Sequence, residues 1–332
     1  MKIKISDLEK LMVSILTSTY YSQRQAKLIA EVLLYAEVTG KNTQGILKLL
    51  GSEPIQSVKP NYPPKKIKET KLSVLIDGGG NPGALVSQEA INLAIQKCQK
   101  HGVGLVGTRN TYSSTGAIGY YAYKAAKKDL IGIVMAGSPA TVAPHGSLDP
   151  IFGTNPMAFG FPTTKDPIIF DMATAAITWY GLVRAKALGK KIPADLAMDK
   201  QGNPTTDPVQ AMDGAILPFD KGYKGSGLGM MVQLFTGPLT GALFFDIGKK
   251  NGDWGNVFIA VDPDLLIGKA EFKKNCTKLV DIMQRSRLDK KITDHIRIPG
   301  ETSLAKKREA EKMGTIDIED NLYHALQQAA QN

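Results

Sequence analysis

The chain has 332 residues, of which 43% are hydrophobic and 22% charged; this excludes wholesale disorder and allows one large domain or two to three smaller ones. No apolar run reaches the ~18–20 residues that span a bilayer, Met1–Lys10 lacks the apolar run of a secretory signal, and Cys98 and Cys276 form no CxxC pair, so a cytoplasmic protein without a structural metal is expected. The net charge of +10 points to an anionic substrate, a phosphorylated cofactor or nucleic acid, or else to a solvated basic surface. The lysines come as short pairs (Lys65–Lys66, Lys127–Lys128, Lys190–Lys191, Lys249–Lys250, Lys306–Lys307) rather than one long basic run, which argues against nucleic acid.

Residues 5–36 read as helical, opening on a capping box at Ser6 and Glu9, with a second helix over Ser22–Glu37 that ends at Thr39-Gly40. A short helix at 42–50 carries Thr43, Gln44 and Lys48, and Pro54–Pro64 is a connection. Then come a strand at Leu72–Ile76, a helix at Ala84–Lys100, a strand at Val103–Gly107, a helix through Tyr120–Lys128 and a strand at Ile131–Met135. This alternation predicts an α/β unit with parallel pairing. Further strands are expected at Met157–Phe161, Ile168–Asp171 and Val257–Val261, a long helix at Ala175–Leu188, a turn-rich stretch at 196–224, and helices over 263–287 and 303–331.

Gly78-x-Gly80-x-x-Gly83 follows a strand and opens a helix, as a dinucleotide fingerprint does. The acidic ribose partner expected about 20 residues on is missing, since Thr108 and Arg109 stand at the end of the next strand. A tight structural turn is the better reading. Asn110-Thr111-Tyr112-Ser113-Ser114-Thr115-Gly116 gathers hydroxyls and backbone amides at a helix start, which suits a phosphate or a carboxamide as well as ordinary capping. Of the four histidines, His145 in a Pro-Gly loop is the site candidate; His101 reads as a helix C-terminal charge, and His295 and His324 as solvated.

Taken together, these motifs resemble the type-2 malate/L-lactate dehydrogenase family. The likeness rests on Ala36-Glu37-x-x-Gly40, Thr43-x-Gly45-x-x-Lys48, Asp77-Gly78 through Gly83, and Thr115 through Tyr121. It continues through Ser138-Pro139, Ala143-Pro144, Gly153-Thr154-Asn155-Pro156, Asp171-Met172-Ala173-Thr174, Leu217-Pro218, Gly222-Tyr223-Lys224-Gly225, Thr236-Gly237 and Pro299-Gly300-Glu301. The resemblance implies a non-Rossmann α/β fold binding NAD or NADP, a homodimer, and a small anionic substrate. It implies an N-terminal helical segment (1–64), a cofactor-binding domain (65–262) and a C-terminal helical segment (263–332) packing back on the first. The cofactor would lie against Ser114, Thr115, Gly116, Ala117 and Ile118 and against Asp171, Met172 and Ala173. Lys224, Gly225, Pro299, Gly300 and Glu301 would complete the cradle and Thr154 would touch substrate; Tyr112 and His145 are further substrate-site candidates from their own residue chemistry.

The departures carry as much information. The family's Ser-His-Gly-x-x-Arg supplies a proton donor and a carboxylate grip; this chain has Thr43, Gln44 and Lys48 there, and the family's relay Asp falls at about Gly181. A general acid is worth roughly 10²–10⁴-fold, and neutral Gln44 can donate a hydrogen bond but not a proton. Lys48, Tyr112, Tyr180 and His145 are the alternative acids, and a preformed iminium would need hydride only. The expected activity is therefore hydride transfer between a nicotinamide and a small 2-oxo or 2-hydroxy acid or a cyclic imino acid. The alternative is an impaired dinucleotide-binding protein with a regulatory role. Lys306-Lys307-Arg308 suits a 2′-phosphate or, more simply, a solvated helix face.

Overall fold

A computed structural model describes residues 1–50, 54–244 and 253–331, so the Lys249–Lys250 pair lies outside the described residues. The chain opens with β1 (Lys2–Lys4), α1 (Ile5–Thr17) and α2 (Gln23–Val38), then a 3-10 turn at Asn42–Gln44, the one-turn α3 (Leu47–Leu50) and a second 3-10 turn at Ile55–Ser57. The middle runs β2 (Lys65–Glu69), β3 (Ser73–Asp77), α4 (Gly83–His101), β4 (Val103–Thr111), α5 (Gly119–Ala126), β5 (Ile131–Ala136), β6 (Met157–Phe161) and β7 (Ile168–Met172). It continues with α6 (Trp179–Ala187), β8 (Ala197–Met198), α7 (Pro208–Asp213), β9 (Ala215–Ile216), α8 (Tyr223–Thr236) and β10 (Trp254–Val261). After a 3-10 turn at Pro263–Leu265 it closes with α9 (Lys269–Gln284), α10 (Glu301–Met313), β11 (Thr315–Asp317) and α11 (Asp320–Ala329).

Most expected elements are present, and the differences have local causes. The capping box sits at Ser22 and Gln25, not at Ser6 and Glu9. Helix α1 grows straight out of β1 with Lys4 as its N-cap, and the Ile5 N–H is satisfied by the Gly314 carbonyl at 3.0 Å, so no side-chain cap is needed there. The helix expected from Ala175 starts only at Trp179, because Ala176 N–H donates to the Leu217 carbonyl at 2.8 Å and holds the backbone extended. The helix expected over 303–331 is broken after Met313 by Gly314 at φ +67° and by β11.

Among the described strands, only β3 and β4 pair in parallel. The seven-stranded sheet has the order β2-β3-β4-β10-β5-β6-β7, and β10 runs antiparallel between β4 and β5. The fold is thus mixed α/β. One face of the sheet buries Val74, Ile76, Val106, Val134, Ala158, Phe258 and Ala260 under α4 and α5. Helix α8 packs against β10 and β5 on the sheet. Edge strand β2 is exposed at all five positions and carries three lysines, which blunts it against pairing. The other edge, β7, is covered where Ile169 N–H donates to the Pro299 carbonyl at 3.1 Å.

The N- and C-terminal helical parts share a second core. Leu8, Met12 and Leu16 of α1, Leu33 of α2 and Leu49 of α3 pack with Ile318 and with Leu326 of α11, beneath the β1–β11 pair.

The Gly78–Gly83 segment is a structural turn. Gly78 and Gly80 N–H donate to the carbonyls of Arg109 and Asn110 at 2.8 Å, and Gly83 and Ala84 N–H to those of Tyr112 and Ser114 at 2.9 Å. The amides that would cradle a pyrophosphate at the start of α4 are already taken by the chain itself.

Phe258 is fully buried in β10, edge-on to Tyr121 at 5.5 Å between ring centres. Phe258→Ala should cost about 3–5 kcal/mol of stability, measured by denaturant unfolding; a loss below about 1 kcal/mol would mean the sheet core does not depend on β10.

Candidate active site

Three of the candidate groups touch one stretch of chain, 171–181, which leaves edge strand β7 and enters α6. At its start, the Asp171 carboxylate accepts from Lys41 Nζ and, at 3.0 Å, from Gly119 N–H at the first turn of α5. Lys41 comes from the link between α2 and the Asn42–Gln44 turn, so this ion pair ties the N-terminal helices to the sheet. A cavity of about 170 Å³ opens beside the pair, with Tyr35, Phe170, Pro299, Gly300 and Ser303 among its walls. Gly300 sits at φ +86°, and a Cβ there would come within 2.8 Å of the Ile169 carbonyl, so only glycine lets the 298–300 segment lie this close to β7. Burial, and after it Asp171, pushes the Tyr35 phenol far above its usual range, so this wall is neutral.

Three residues on, Thr174 joins the next group. Its N–H donates to the Thr154 carbonyl at 3.0 Å, while Thr154 N–H donates to Ser138 Oγ at 3.0 Å. Neighbouring Asn155 is fully buried at φ +37° and donates from Nδ2 to the Gly229 carbonyl at 3.0 Å and to Gln233 Oε1 at 2.9 Å. Thr154 is thereby fixed to α8, whose first turn carries Lys224 and Gly225. Ser226, next in α8, accepts from His145 N–H at 3.1 Å, and the His145 residue is exposed.

At the far end of the stretch stands Tyr180. Lys48 Nζ lies 3.0 Å from the centre of its ring, and Lys48 is only 3% exposed. An ammonium taken out of water needs such a partner. Gly181 N–H donates to Thr178 Oγ1 at 3.1 Å in the cap of α6, so no carboxylate stands at the position of the expected relay Asp. Thr43 and Gln44, both half-buried, sit on the 3-10 turn that leads into the turn of Lys48.

That turn rests on a buried acid. Glu37, in the last turn of α2, is 3% exposed; its Oε1 accepts from Ile46 N–H at 2.7 Å and its Oε2 from Asn42 Nδ2 at 2.9 Å. A Cβ on Gly45 would fall inside the Glu37 carboxyl, which is why this position is glycine. Burial raises the Glu37 pKa to about 7 against the lowering effect of its two hydrogen bonds.

Other expected residues are placed differently. Ala117 and Ile118 are buried in the main core, so only their backbone can reach a ligand. Thr115 is buried and its hydroxyl donates to Asn256 Oδ1 at 3.2 Å, while Ser114 Oγ accepts from Gly116 N–H at 3.0 Å. Tyr112 pairs through its backbone with Asn81 and Gly83 at 2.9 Å. Met172 and Ala173 flank the Asp171 pair and are half-buried. Glu301 turns back to accept from Ile298 N–H at 3.1 Å. Of the cationic run, Lys307 pairs with Glu311 and Arg308 with Asp166. Lys41 was not among the expected residues, and Glu37 was noted only as part of a motif. A carboxylate between apolar Ala36 and Val38 on a helix is a readable sign of a buried acid. Lys41 carries no such sign, because its partner lies 130 residues away.

Residues 3–327 match the family model described as malate/L-lactate dehydrogenase. The malate/(S)-sulfolactate dehydrogenase of Methanothermus fervidus is 34% identical, covering 96% of this chain and 94% of that protein. The Delta(1)-pyrroline-2-carboxylate/Delta(1)-piperideine-2-carboxylate reductase of Pseudomonas putida is 30% identical, covering 97% and 95%. Among solved structures, the sulfolactate dehydrogenase of Methanocaldococcus jannaschii superposes with a TM-score of 0.85 at 32% identity, over 100% of this chain and 97% of that one.

The raised pKa of Glu37 has a sign that can be measured. Between about pH 4.5 and 7 the folded chain keeps this proton while the unfolded chain has lost it, so the Glu37 contribution to stability falls as pH rises through that window. The full span is about 3 kcal/mol. Unfolding of wild type and Glu37→Gln across pH 5–8 should therefore show the variant gaining relative stability toward pH 8; a pH-independent difference would refute a buried proton at Glu37.

Proposed function

Because the chain belongs to the malate/L-lactate dehydrogenase family, we infer that it is a nicotinamide-dependent oxidoreductase acting on a small 2-oxo or 2-hydroxy acid or a cyclic imino acid. The observation that carries this reading is the buried Lys48 ammonium on α3, just after the turn of Thr43 and Gln44, which meets Tyr180 at the end of the stretch that begins at Asp171 and its cavity. NAD or NADP supplies or accepts the hydride when bound. The cavity suits one segment of such a dinucleotide: Tyr35, Phe170 and Pro299 offer an apolar wall, and Asp171 and Ser303 offer hydrogen-bond partners for sugar hydroxyls. The Ser114–Ile118 backbone, Met172, Ala173, Lys224 and Gly225 complete the cradle.

In this reading Lys48 holds the substrate carboxylate as a point charge, Thr43 and Gln44 hydrogen-bond the reacting group, and Thr154 orients it. Reducing a ketone needs a hydride at carbon and a proton at oxygen. Gln44 has no proton to give at neutral pH, and Gly181 supplies no relay. An iminium already carries its proton on nitrogen and needs the hydride alone, so cyclic imino acids are the favoured substrates. The same two residues favour a second reading, a protein that binds the dinucleotide without turnover and acts in regulation.

The chain assembles as a homodimer in this reading, and α8 provides the face. Its sheetward stripe is Gly225, Gly229, Val232 and Thr236, while Met230, Met231, Leu234 and Phe235 point outward, each 38–47% exposed. A helix that buries its small residues and presents its large apolar ones suits a second copy of itself. Cys98 and Cys276 are both free thiols, in keeping with a cytoplasmic location, and among the described residues no helix is long and apolar enough to cross a membrane.

NADH and NADPH fluorescence titrations should show saturable binding of at least one, and a panel of 2-oxo and cyclic imino acids should show the imino acids reduced fastest. Binding without turnover on the whole panel would establish the second reading, and no binding of either would sink both. Lys48→Ala should raise KM for the acid more than tenfold while cofactor affinity stays within twofold. For assembly, Met231→Glu with Leu234→Glu should convert a dimer to a monomer in light scattering; a monomeric wild type would refute the α8 face.

A further inference from the structure

We propose that Glu37 is the positioning residue of the substrate site: its carboxyl clamps both ends of the 42–46 turn and so sets where Gln44 and Lys48 stand. The inference rests on the reading of Lys48 as carboxylate holder given above.

The geometry joins one side-chain contact and one backbone contact. Glu37 Oε2 takes Asn42 Nδ2 at the start of the turn and Oε1 takes Ile46 N–H at its end, spanning Thr43, Gln44 and Gly45. The anchored residues then hold the next turn: the Gly45 carbonyl accepts from Lys48 N–H and the Ile46 carbonyl from Leu49 N–H, both at 2.9 Å. One side chain thereby fixes the backbone on either side of Gln44 and the turn that carries Lys48 over Tyr180. The missing side chain of Gly45 is the space the carboxyl occupies. Ile46 N–H is buried, so without an acceptor it would carry the cost of an unsatisfied donor, about 1–3 kcal/mol. No packing need explains a carboxyl at this spot, since Ala36 and Val38 beside it are apolar and buried. Glu37 touches neither substrate nor cofactor in this account; it acts through the turn.

Glu37→Gln keeps the acceptor for Ile46, and the Asn42 carboxamide can rotate to accept from the new amide. Glu37→Ala keeps neither bond. The test compares both variants with wild type at pH 6.5 in two measurements. The first is amide hydrogen exchange of residues 42–50, which needs no turnover. The second is KM for the fastest-reduced acid of the panel against the dissociation constant for the reduced cofactor. Expected for Glu37→Ala is at least tenfold faster exchange at 46–49 and at least a tenfold rise in KM, with cofactor binding within twofold. Glu37→Gln should stay within threefold of wild type on both. The proposal is overturned if Glu37→Ala leaves exchange and KM unchanged, if cofactor binding weakens as much as KM rises, or if Glu37→Gln behaves like Glu37→Ala. Should wild type reduce nothing on the panel, the enzyme reading fails by itself, and the exchange measurement still decides the clamp.

Discussion

One carboxylate on a sheet edge holds the cleft together. Asp171 accepts from Lys41 of the N-terminal helical part and from Gly119 at the start of α5, so two bodies of structure meet on a single oxygen. Its side chain is 10% exposed, and a pair at that depth is screened less than one at the surface. Everything downstream takes its position from this point: Thr174 fixes Thr154, Thr154 stands beside the Asn155 link to α8, and Tyr180 receives Lys48. The stretch from Asp171 to Tyr180 thus touches Lys41, Gly119, Thr154 and Lys48 in turn.

The chemistry then follows from what is buried. The segment 42–48 carries the Lys48 ammonium, the Gln44 carboxamide and the Thr43 hydroxyl, and beneath them lies the Glu37 carboxyl, whose pKa burial raises to about 7. Such a site can bind an anion and steady a developing charge. Gln44, at the position where the family's Ser-His-Gly-x-x-Arg has its histidine, cannot deliver a proton. The family likeness and the local departure are compatible in the proposed reading: the scaffold of the family is kept, and an electrophile that arrives already protonated would need no acid from this turn.

Much of this was legible in the residues. The local patterns located β3, β5, β6, β7 and helices α2 and α4 to within one or two residues, since each is a contiguous run, whereas β4 continues four residues past the expected Gly107 to Thr111. The turn reading of Gly78–Gly83 rested on a missing acid, and the hydrogen bonds agree with it. What escaped were relations between distant segments. Strand β2 reads as a lysine-rich surface because it is one. The insertion of β10, the pairing of β1 with β11 and the Lys41–Asp171 bond have no local trace. Ala117 and Ile118 sat in a binding motif, yet their side chains serve the core. Motif membership marks a stretch of chain, and only packing decides which atoms of it face a ligand.

The place of β10 in the sheet has a consequence for how the molecule comes into being. Strands β4 and β5 are made early, but the strand that bridges them arrives far later in the chain. Until it does, both keep an unpaired flank, and Val106 and Val134 lack the Phe258 that completes their layer. The nascent polypeptide must carry that open seam through much of its synthesis on the ribosome, when pairing with a neighbour's strand is the chief hazard. Such long-range closure makes for slow, high-contact-order folding. The topology thus makes completion of the central sheet wait on the last of its strands to be made.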